Sequence, residues 1–166
     1  TLETNWEPSV EQINNVINEN TKMIVLNYPN NPTGKILPRK LEESIIQTAK
    51  EHDLYVLSDE IYEDYYMSEP FQKEILAYRY EKSIVTKSFS KSHAMTGFRI
   101  GWVVAEPSII DKMSKLQALS LTNVSEPIQY VALQALKAYD TGAIGENRKI
   151  IKSRLDTLVK IAKDIG

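Results

Sequence analysis

The sequence predicts an α/β protein, a three-layer α/β/α sandwich with a mainly parallel sheet. Short apolar runs alternate along the chain with longer segments whose apolar residues recur at helical spacing. This alternation implies right-handed crossovers, which place helices on both faces of a parallel sheet. The 166 residues, 42% hydrophobic and 25% charged, are enough for one globular domain with a buried core.

The first elements are a helix and a strand that runs into a rigid turn. Ser9 and Gln12 have the spacing of a capping box, and apolar residues then follow at helical intervals to residue 20. The apolar run at residues 23–26 is short and partly β-branched, which predicts a buried strand. It ends at residues 27–34, NYPNNPTG, because two prolines and a glycine cannot continue a strand.

A second helix and three strands follow. Pro38 opens the helix, which extends to about residue 52, since proline is well tolerated in a first helical turn. Short apolar runs then predict strands at residues 54–57, 83–86 and 100–105. The first two of these strands end in distinctive polar sequences, SDE and KSFSK.

The last third of the sequence is predicted to be helical. Apolar periodicity predicts helices at residues 107–120, 127–139 and 147–164, the last of them long and amphipathic. The segment GAIG at residues 142–145 is the predicted hinge, so a domain boundary is expected between residues 141 and 142.

Composition excludes several classes of function. A formal net charge of −2, with no basic stripe, argues against nucleic acid as a partner. The absence of cysteine and the presence of only two histidines argue against a metal site. No apolar run approaches the roughly 20 residues that span a bilayer. We therefore expect a cytoplasmic protein without a membrane partner.

Polar residues follow three predicted strands, where open α/β sheets bind their ligands. They are Asn31, Asp59 and Lys91. Each alone has an ordinary structural explanation, as a turn former, a helix cap or a solvated lysine. A nucleotide-binding domain is disfavoured, because no GxGxxG or GxxxxGK[ST] follows any strand.

Together, three motifs in order resemble the class I/II aminotransferases, which are fold-type-I pyridoxal-phosphate enzymes. The motifs are NYPNNPTG at residues 27–34, SDEIY at 58–62 and SFSKSHAMTGFRIGW from residue 88. The resemblance implies that residues 1–141 are part of the large cofactor-binding domain. It also implies that residues 142–166 form a long helix leading toward a small C-terminal domain outside this chain.

The resemblance assigns the covalent and electronic roles. Lys91 would form a Schiff base with the aldehyde of pyridoxal 5'-phosphate, and its freed amine would later move the substrate Cα proton. Asp59 would keep the pyridine nitrogen protonated, so that the ring can accept electrons from Cα. Lys91, Asp59 and Tyr62 are therefore the expected catalytic residues.

Other cofactor contacts follow from the same resemblance. Tyr62 and Asn31 would bond the phenolic oxygen of the ring. Arg99, eight residues after the lysine, would grip the phosphate with a guanidinium fork, and Ser88 and Ser90 would lie at or near it.

Neighbouring residues are expected to have structural roles. His93 is interpreted as structural, since the family pattern does not require it. Gly97 and Gly101 are assigned to backbone shape. The acidic, Tyr-rich loop at residues 62–66 is predicted to be a solvated face in which only Tyr62 has a function.

The implied activity is transfer of an amino group between an L-amino acid, aspartate or an aromatic one first, and a 2-oxo acid such as 2-oxoglutarate. The resemblance also implies a homodimer. β-Elimination of a C–S bond, ring closure to an aminocyclopropane, and an effector-binding domain of a transcription regulator remain alternatives, because one fold serves several chemistries. The family's phosphate loop, ring-stacking aromatic and substrate-carboxylate arginine are expected outside this chain.

Overall fold

The computed structural model describes residues 4–65, 75–139 and 142–165. Within them, four strands form one sheet in the order β1 (Met23–Asn27), β2 (Tyr55–Asp59), β3 (Ser83–Ser88) and β4 (Gly101–Ala105). The first three strands are parallel, and β4 runs antiparallel to β3. The predicted mainly parallel sheet is therefore confirmed, with an antiparallel strand at one edge.

The helices in the same ranges are α1 (Val10–Val16), α2 (Arg39–Glu51), α3 (Phe89–Ser92), α4 (Pro107–Leu121), α5 (Glu126–Tyr139) and α6 (Ala143–Ile165). The predicted capping box is present, since Ser9 Oγ accepts the Gln12 N–H at 3.0 Å and Gln12 Oε1 accepts the Ser9 N–H at 3.3 Å. Helix α1 ends before residue 20 because Asn18 and Thr21 form a turn of their own, in which Thr21 Oγ1 accepts the Asn18 N–H.

Two helix predictions need correction. Helix α3 was not predicted, and it follows β3 directly because Ser88 Oγ caps it by accepting the Ser90 N–H at 3.0 Å. Helix α6 begins at Ala143 rather than at residue 147, so residues 143–145 of the predicted hinge are helical. Gly142, just before the helix, has a φ of +83°.

The core lies on one face of the sheet. Leu26, Val56 and Val85 project from neighbouring strands on this face and pack against Ile45 and Ile46 of α2. Helix α5 covers the same face near β4, where its Ala132 belongs to a second cluster with Phe89 and Met95 and with the partly buried Trp102. This packing fixes the side of the sheet toward which each strand residue points.

Parallel pairing brings the carboxyl ends of β1, β2 and β3 to one edge of the sheet. Asn27 is in register with Asp59, and Asp59 is in register with Thr86. Helix α3, which carries Lys91, starts at the end of β3. The edge therefore collects polar residues from segments that are far apart in sequence.

Candidate active site

The turn after β1 presents Asn31 toward the loop after β2. Asn30 stabilises the turn, since its carbonyl accepts the Gly34 N–H at 2.8 Å and its Oδ1 accepts the Thr33 hydroxyl at 2.7 Å. Gly34 has a φ of +67°, a conformation that glycine adopts without strain. The Asn31 Nδ2 is therefore free to donate to the Tyr62 hydroxyl at 3.1 Å, across 31 residues.

The Asp59 carboxylate is held between the two neighbouring strands. Its Oδ2 accepts a hydrogen bond from Asn27 Nδ2 at 2.9 Å, and its Oδ1 accepts one from the Thr86 hydroxyl at 3.3 Å. Both donors are neutral and the carboxylate is half-buried. The sequence did not single out Asn27 or Thr86, because their contact with Asp59 depends on strand register.

Lys91 lies beside Tyr62. Its Nζ is 5.6 Å from the centroid of the Tyr62 ring, within the range of a cation–π contact. Tyr62 thus contacts two other predicted site residues, Asn31 on one side and Lys91 on the other. Asp59 stands three residues before Tyr62 at the same sheet edge.

The predicted phosphate residues are bonded locally. Ser88 Oγ donates to the Ile100 carbonyl at 3.1 Å and caps α3, while Ser90 is buried within that helix. Arg99 is exposed, with a φ of +51°, and its Nη1 donates to the Thr96 carbonyl at 3.0 Å. In the described part of the chain, no hydrogen bond joins its guanidinium to another predicted site residue.

The loop after Tyr62 is not the solvated face predicted from its composition. Glu63 Oε2 accepts a hydrogen bond from Lys87 Nζ at 2.7 Å, and the Tyr65 hydroxyl donates to the Lys91 carbonyl at 2.5 Å. Burial raises the pKa of the Glu63 carboxyl, although its bond to Lys87 opposes this effect. Burial also raises the pKa of the Tyr65 phenol. Tyr66, the last residue of that loop, lies outside the described residues.

The structural interpretation of His93 and Gly101 agrees with their contacts. The His93 ring meets Phe89 edge to face at 5.0 Å, and its Nδ1 lies 2.8 Å from Ser92 Oγ. A Cβ on Gly101 would stand 2.6 Å from the Lys87 carbonyl oxygen, so this position has no room for a larger residue. A Cβ on Gly97 would meet no atom within 4 Å, so no steric need for glycine is evident there.

Two classes of site are not found in the described ranges. No cluster of three or more acidic or histidine side chains there is arranged to hold a metal ion. None of the described helices combines the length and apolar character that crossing a bilayer requires.

A family model for class I and II aminotransferases matches residues 1–166, the whole of the sequence. The chain belongs to this family. Class I and II aminotransferases are pyridoxal-phosphate-dependent enzymes, so the family also confirms the predicted cofactor.

Individual aminotransferases are similar to this chain along nearly all of it. An aspartate aminotransferase of Pyrococcus horikoshii is 37% identical over 164 residues, which are 98% of this chain and 42% of the relative. The solved structure of an aromatic aminotransferase from Pyrococcus horikoshii superposes with a TM-score of 0.91 at 34% identity, covering 100% of this chain and 45% of that one. A PLP-dependent aminotransferase from Streptococcus suis gives a TM-score of 0.83 at 30% identity, over 95% of this chain and 41% of that one.

These comparisons confirm the predicted fold class, the α/β/α fold of the fold-type-I aminotransferases. The chain spans less than half the length of each of these aminotransferases.

Proposed function

We propose that this protein is a pyridoxal-phosphate-dependent aminotransferase in which Lys91 binds the cofactor covalently. The observation that carries the proposal is the position of Lys91 Nζ beside the Tyr62 ring. The Tyr62 hydroxyl is hydrogen-bonded to Asn31, and Asp59 lies at the same edge of the sheet. An amine, a phenol–amide pair and a carboxylate fit the aldehyde, the phenolic oxygen and the ring nitrogen of this cofactor.

Lys91 would do two kinds of work. When bound, pyridoxal phosphate supplies an aldehyde carbon that combines with amines and a protonated ring that accepts electron density from the substrate Cα. Lys91 Nζ would hold that carbon until the substrate amine displaces it. The freed Nζ would then take the Cα proton and deliver it to the cofactor carbon, as a general base and acid.

Asp59 would accept the N–H of the ring. Its hydrogen bonds from the side chains of Asn27 and Thr86 fix the direction of the carboxylate before the cofactor arrives. An oriented carboxylate loses little free energy in reorganisation when charge develops on the ring. Asn31 and Tyr62 would bond the phenolic oxygen, and their existing 3.1 Å contact orients both groups.

Arg99, Ser88 and Ser90 would hold the phosphate. A guanidinium gives a phosphate two parallel N–H donors, and hydroxyl groups add further ones. Ser88 and Ser90 stand at the start of α3, and Arg99 precedes β4, which is paired with β3. The phosphate would thus lie near the junction of β3 and α3.

For the complete protein we propose an L-amino acid donor, aspartate first and aromatic amino acids second, with 2-oxoglutarate or a similar 2-oxo acid as acceptor. The names of the similar aspartate and aromatic aminotransferases support these donors. We further propose a cytoplasmic homodimer without nucleic acid or membrane partners. In it, residues 1–141 would belong to the cofactor domain, and residues 142–166 would lead toward a small domain.

The test is made on the complete protein. Its visible spectrum is recorded while aspartate, alanine, tyrosine and cysteine are added separately, followed by 2-oxoglutarate. We expect one donor to convert the absorption band of the bound cofactor to that of its amine form, and the oxo acid to restore it. Lys91→Ala should lose the original band and about 10³-fold or more of the activity.

Lys50→Ala is the matched control, because Lys50 Nζ lies 5.8 Å from the Tyr80 ring and so makes the same kind of contact elsewhere. It should retain both the band and the activity. Release of sulfide from cysteine without recovery by the oxo acid would establish a C–S lyase instead. A band that no donor changes would indicate an effector-binding domain, and absence of any band would refute the role of Lys91.

A further inference from the structure

One short turn contacts both sides of the junction that carries Lys91. The turn is the 3-10 helix Glu63–Tyr65. Its Glu63 pairs with Lys87 of β3 at 2.7 Å, and its Tyr65 hydroxyl donates to the main-chain carbonyl of Lys91 in α3 at 2.5 Å. The strand end and the helix that follows it are therefore tied to the same three residues.

The hydrogen bond from Tyr65 joins α3 to a distant part of the chain. A helix of four residues leaves its carbonyl groups with few partners inside the helix. The Lys91 carbonyl also accepts the His93 N–H and, at 3.1 Å, the Ala94 N–H, but these are local bonds that do not fix α3 against the rest of the molecule. The Tyr65 phenol comes from a segment 26 residues earlier, so its bond does fix the helix.

The same turn also contacts the side chain of Lys91. Tyr62 immediately precedes the turn, and its carbonyl accepts the Tyr65 N–H at 3.0 Å. The Tyr62 ring lies under Lys91 Nζ, while the Tyr65 hydroxyl holds the Lys91 main chain. The two ends of the lysine thus contact residues three positions apart on one short segment.

We propose that Tyr65 is a positioning residue for the reaction: its hydroxyl fixes the main chain of Lys91, so that Nζ stays in place over the Tyr62 ring. This inference rests on the proposed function of Lys91. Tyr65 itself touches neither substrate nor cofactor in this role. Burial raises the pKa of its phenol, which therefore remains a donor at higher pH than a solvated tyrosine does.

The test compares Tyr65→Phe with Tyr80→Phe in the complete holoenzyme. Tyr80 is a matched control, because its hydroxyl also donates to a main-chain carbonyl, that of Leu54 at 2.7 Å, at the opposite end of β2 from Asp59. Both variants keep the ring and should lower the melting temperature by similar amounts. Tyr65→Phe alone should lower kcat about tenfold, with KM changed less than about twofold, because misplacement of a reacting group mainly costs rate.

A second readout is the pH midpoint of the visible absorption of the bound cofactor. Tyr65→Phe should shift it by about 0.3 unit or more, because the environment of the Lys91 nitrogen changes, and Tyr80→Phe should leave it in place. If the two variants behave alike in kcat and midpoint, or if only Tyr65→Phe fails to fold, Tyr65 is structural and the proposal is overturned. Absence of a visible band in the unsubstituted protein would overturn the proposed function first, and the role of Tyr65 with it.

Discussion

Asp59, the last residue of β2, and Glu60, which follows it, serve two polar networks on opposite faces of the sheet. On one face, Asp59 accepts hydrogen bonds from the neutral side chains of Asn27 and Thr86. On the other face, Glu60 is only 6% exposed, accepts the Ser58 hydroxyl at 3.0 Å and lies 3.6 Å from Lys87 Nζ.

Each network is centred on a carboxylate, but the environments differ. Asp59 is half-buried and its described hydrogen bonds come from uncharged donors, so its negative charge can still attract a cationic ring. The charge of Glu60 is offset by Lys87 inside the protein. Because successive residues of an extended chain point to opposite faces, the candidate catalytic carboxylate and the buried, ion-paired carboxylate can be adjacent in sequence. We therefore expect substitutions to separate activity from stability.

The largest effect is expected on the face that carries Ser58, Glu60 and Lys87, called here the supporting face. Lys87→Met would leave the Glu60 and Glu63 carboxylates without their nearby ammonium, in a place where the lysine side chain is only 14% exposed. Breaking a buried ion pair in this way costs about 3–5 kcal/mol of unfolding free energy. Urea denaturation of the complete protein would measure it. Lys50→Met, a change at an exposed lysine, should cost less than about 0.5 kcal/mol. Equal losses of unfolding free energy in the two variants would show that the ion pairs of Lys87 do not stabilise the fold.

On the opposite face, Asp59→Asn should reduce activity rather than stability. The amide keeps the size of the side chain but removes the charge that faces the ring nitrogen. We expect kcat/KM to fall about 10²- to 10³-fold, the usual loss for one electrostatic group. Steady-state kinetics with saturating cofactor would test this. Loss of stability comparable to that of Lys87→Met, with little loss of activity, would show that the two faces have been assigned the wrong way round.

The sequence was sufficient to predict the strands and to place Asn31, Asp59 and Lys91 at one edge, because the carboxyl ends of parallel strands lie together. Tyr62 was added to this group by the family resemblance. Their chemical roles stay predictions. The turn Glu63–Tyr65 was misjudged as solvated, since its partners Lys87 and Lys91 lie 24 and 26 residues later. Only the three-dimensional register brings them together, and local composition carries no signal for it.

The pH dependence of stability gives a third and smaller test. Burial raises the pKa of the Glu63 carboxyl above 4.5, with Lys87 opposing this shift and Glu60 and Asp64 adding to it. A carboxyl with a raised pKa stabilises the fold when protonated, and this contribution is lost as pH rises from 4.5 through the raised value. The slope cannot exceed about 1.4 kcal/mol per pH unit for one proton.

Replacement of Glu63 by glutamine removes this titration. The unfolding free energy of the unsubstituted protein should therefore fall relative to that of Glu63→Gln as pH rises from 4.5 toward neutrality. Parallel denaturation series at several pH values would measure the difference. A constant difference over this range would show that the bond to Lys87 cancels the effect of burial, so that Glu63 titrates alike in the folded and unfolded protein.

The smallest expected effect has the opposite sign and also concerns the supporting face. Ser83, 2% exposed and in register with Val56, has a buried hydroxyl for which the described residues provide no hydrogen-bond partner. An unsatisfied buried hydroxyl costs about 1–3 kcal/mol, so Ser83→Ala should raise the unfolding free energy, by about 1 kcal/mol after the lost packing of the oxygen. Ser58→Ala is the matched control on the same face, because its hydroxyl donates to Glu60 and its removal should destabilise by about 1 kcal/mol. Opposite signs for the two variants would show that hydrogen bonding to the Glu60 carboxylate, rather than burial of serine in general, stabilises this face. A loss of unfolding free energy in both variants would mean that the Ser83 hydroxyl has a hydrogen-bond partner in the complete protein.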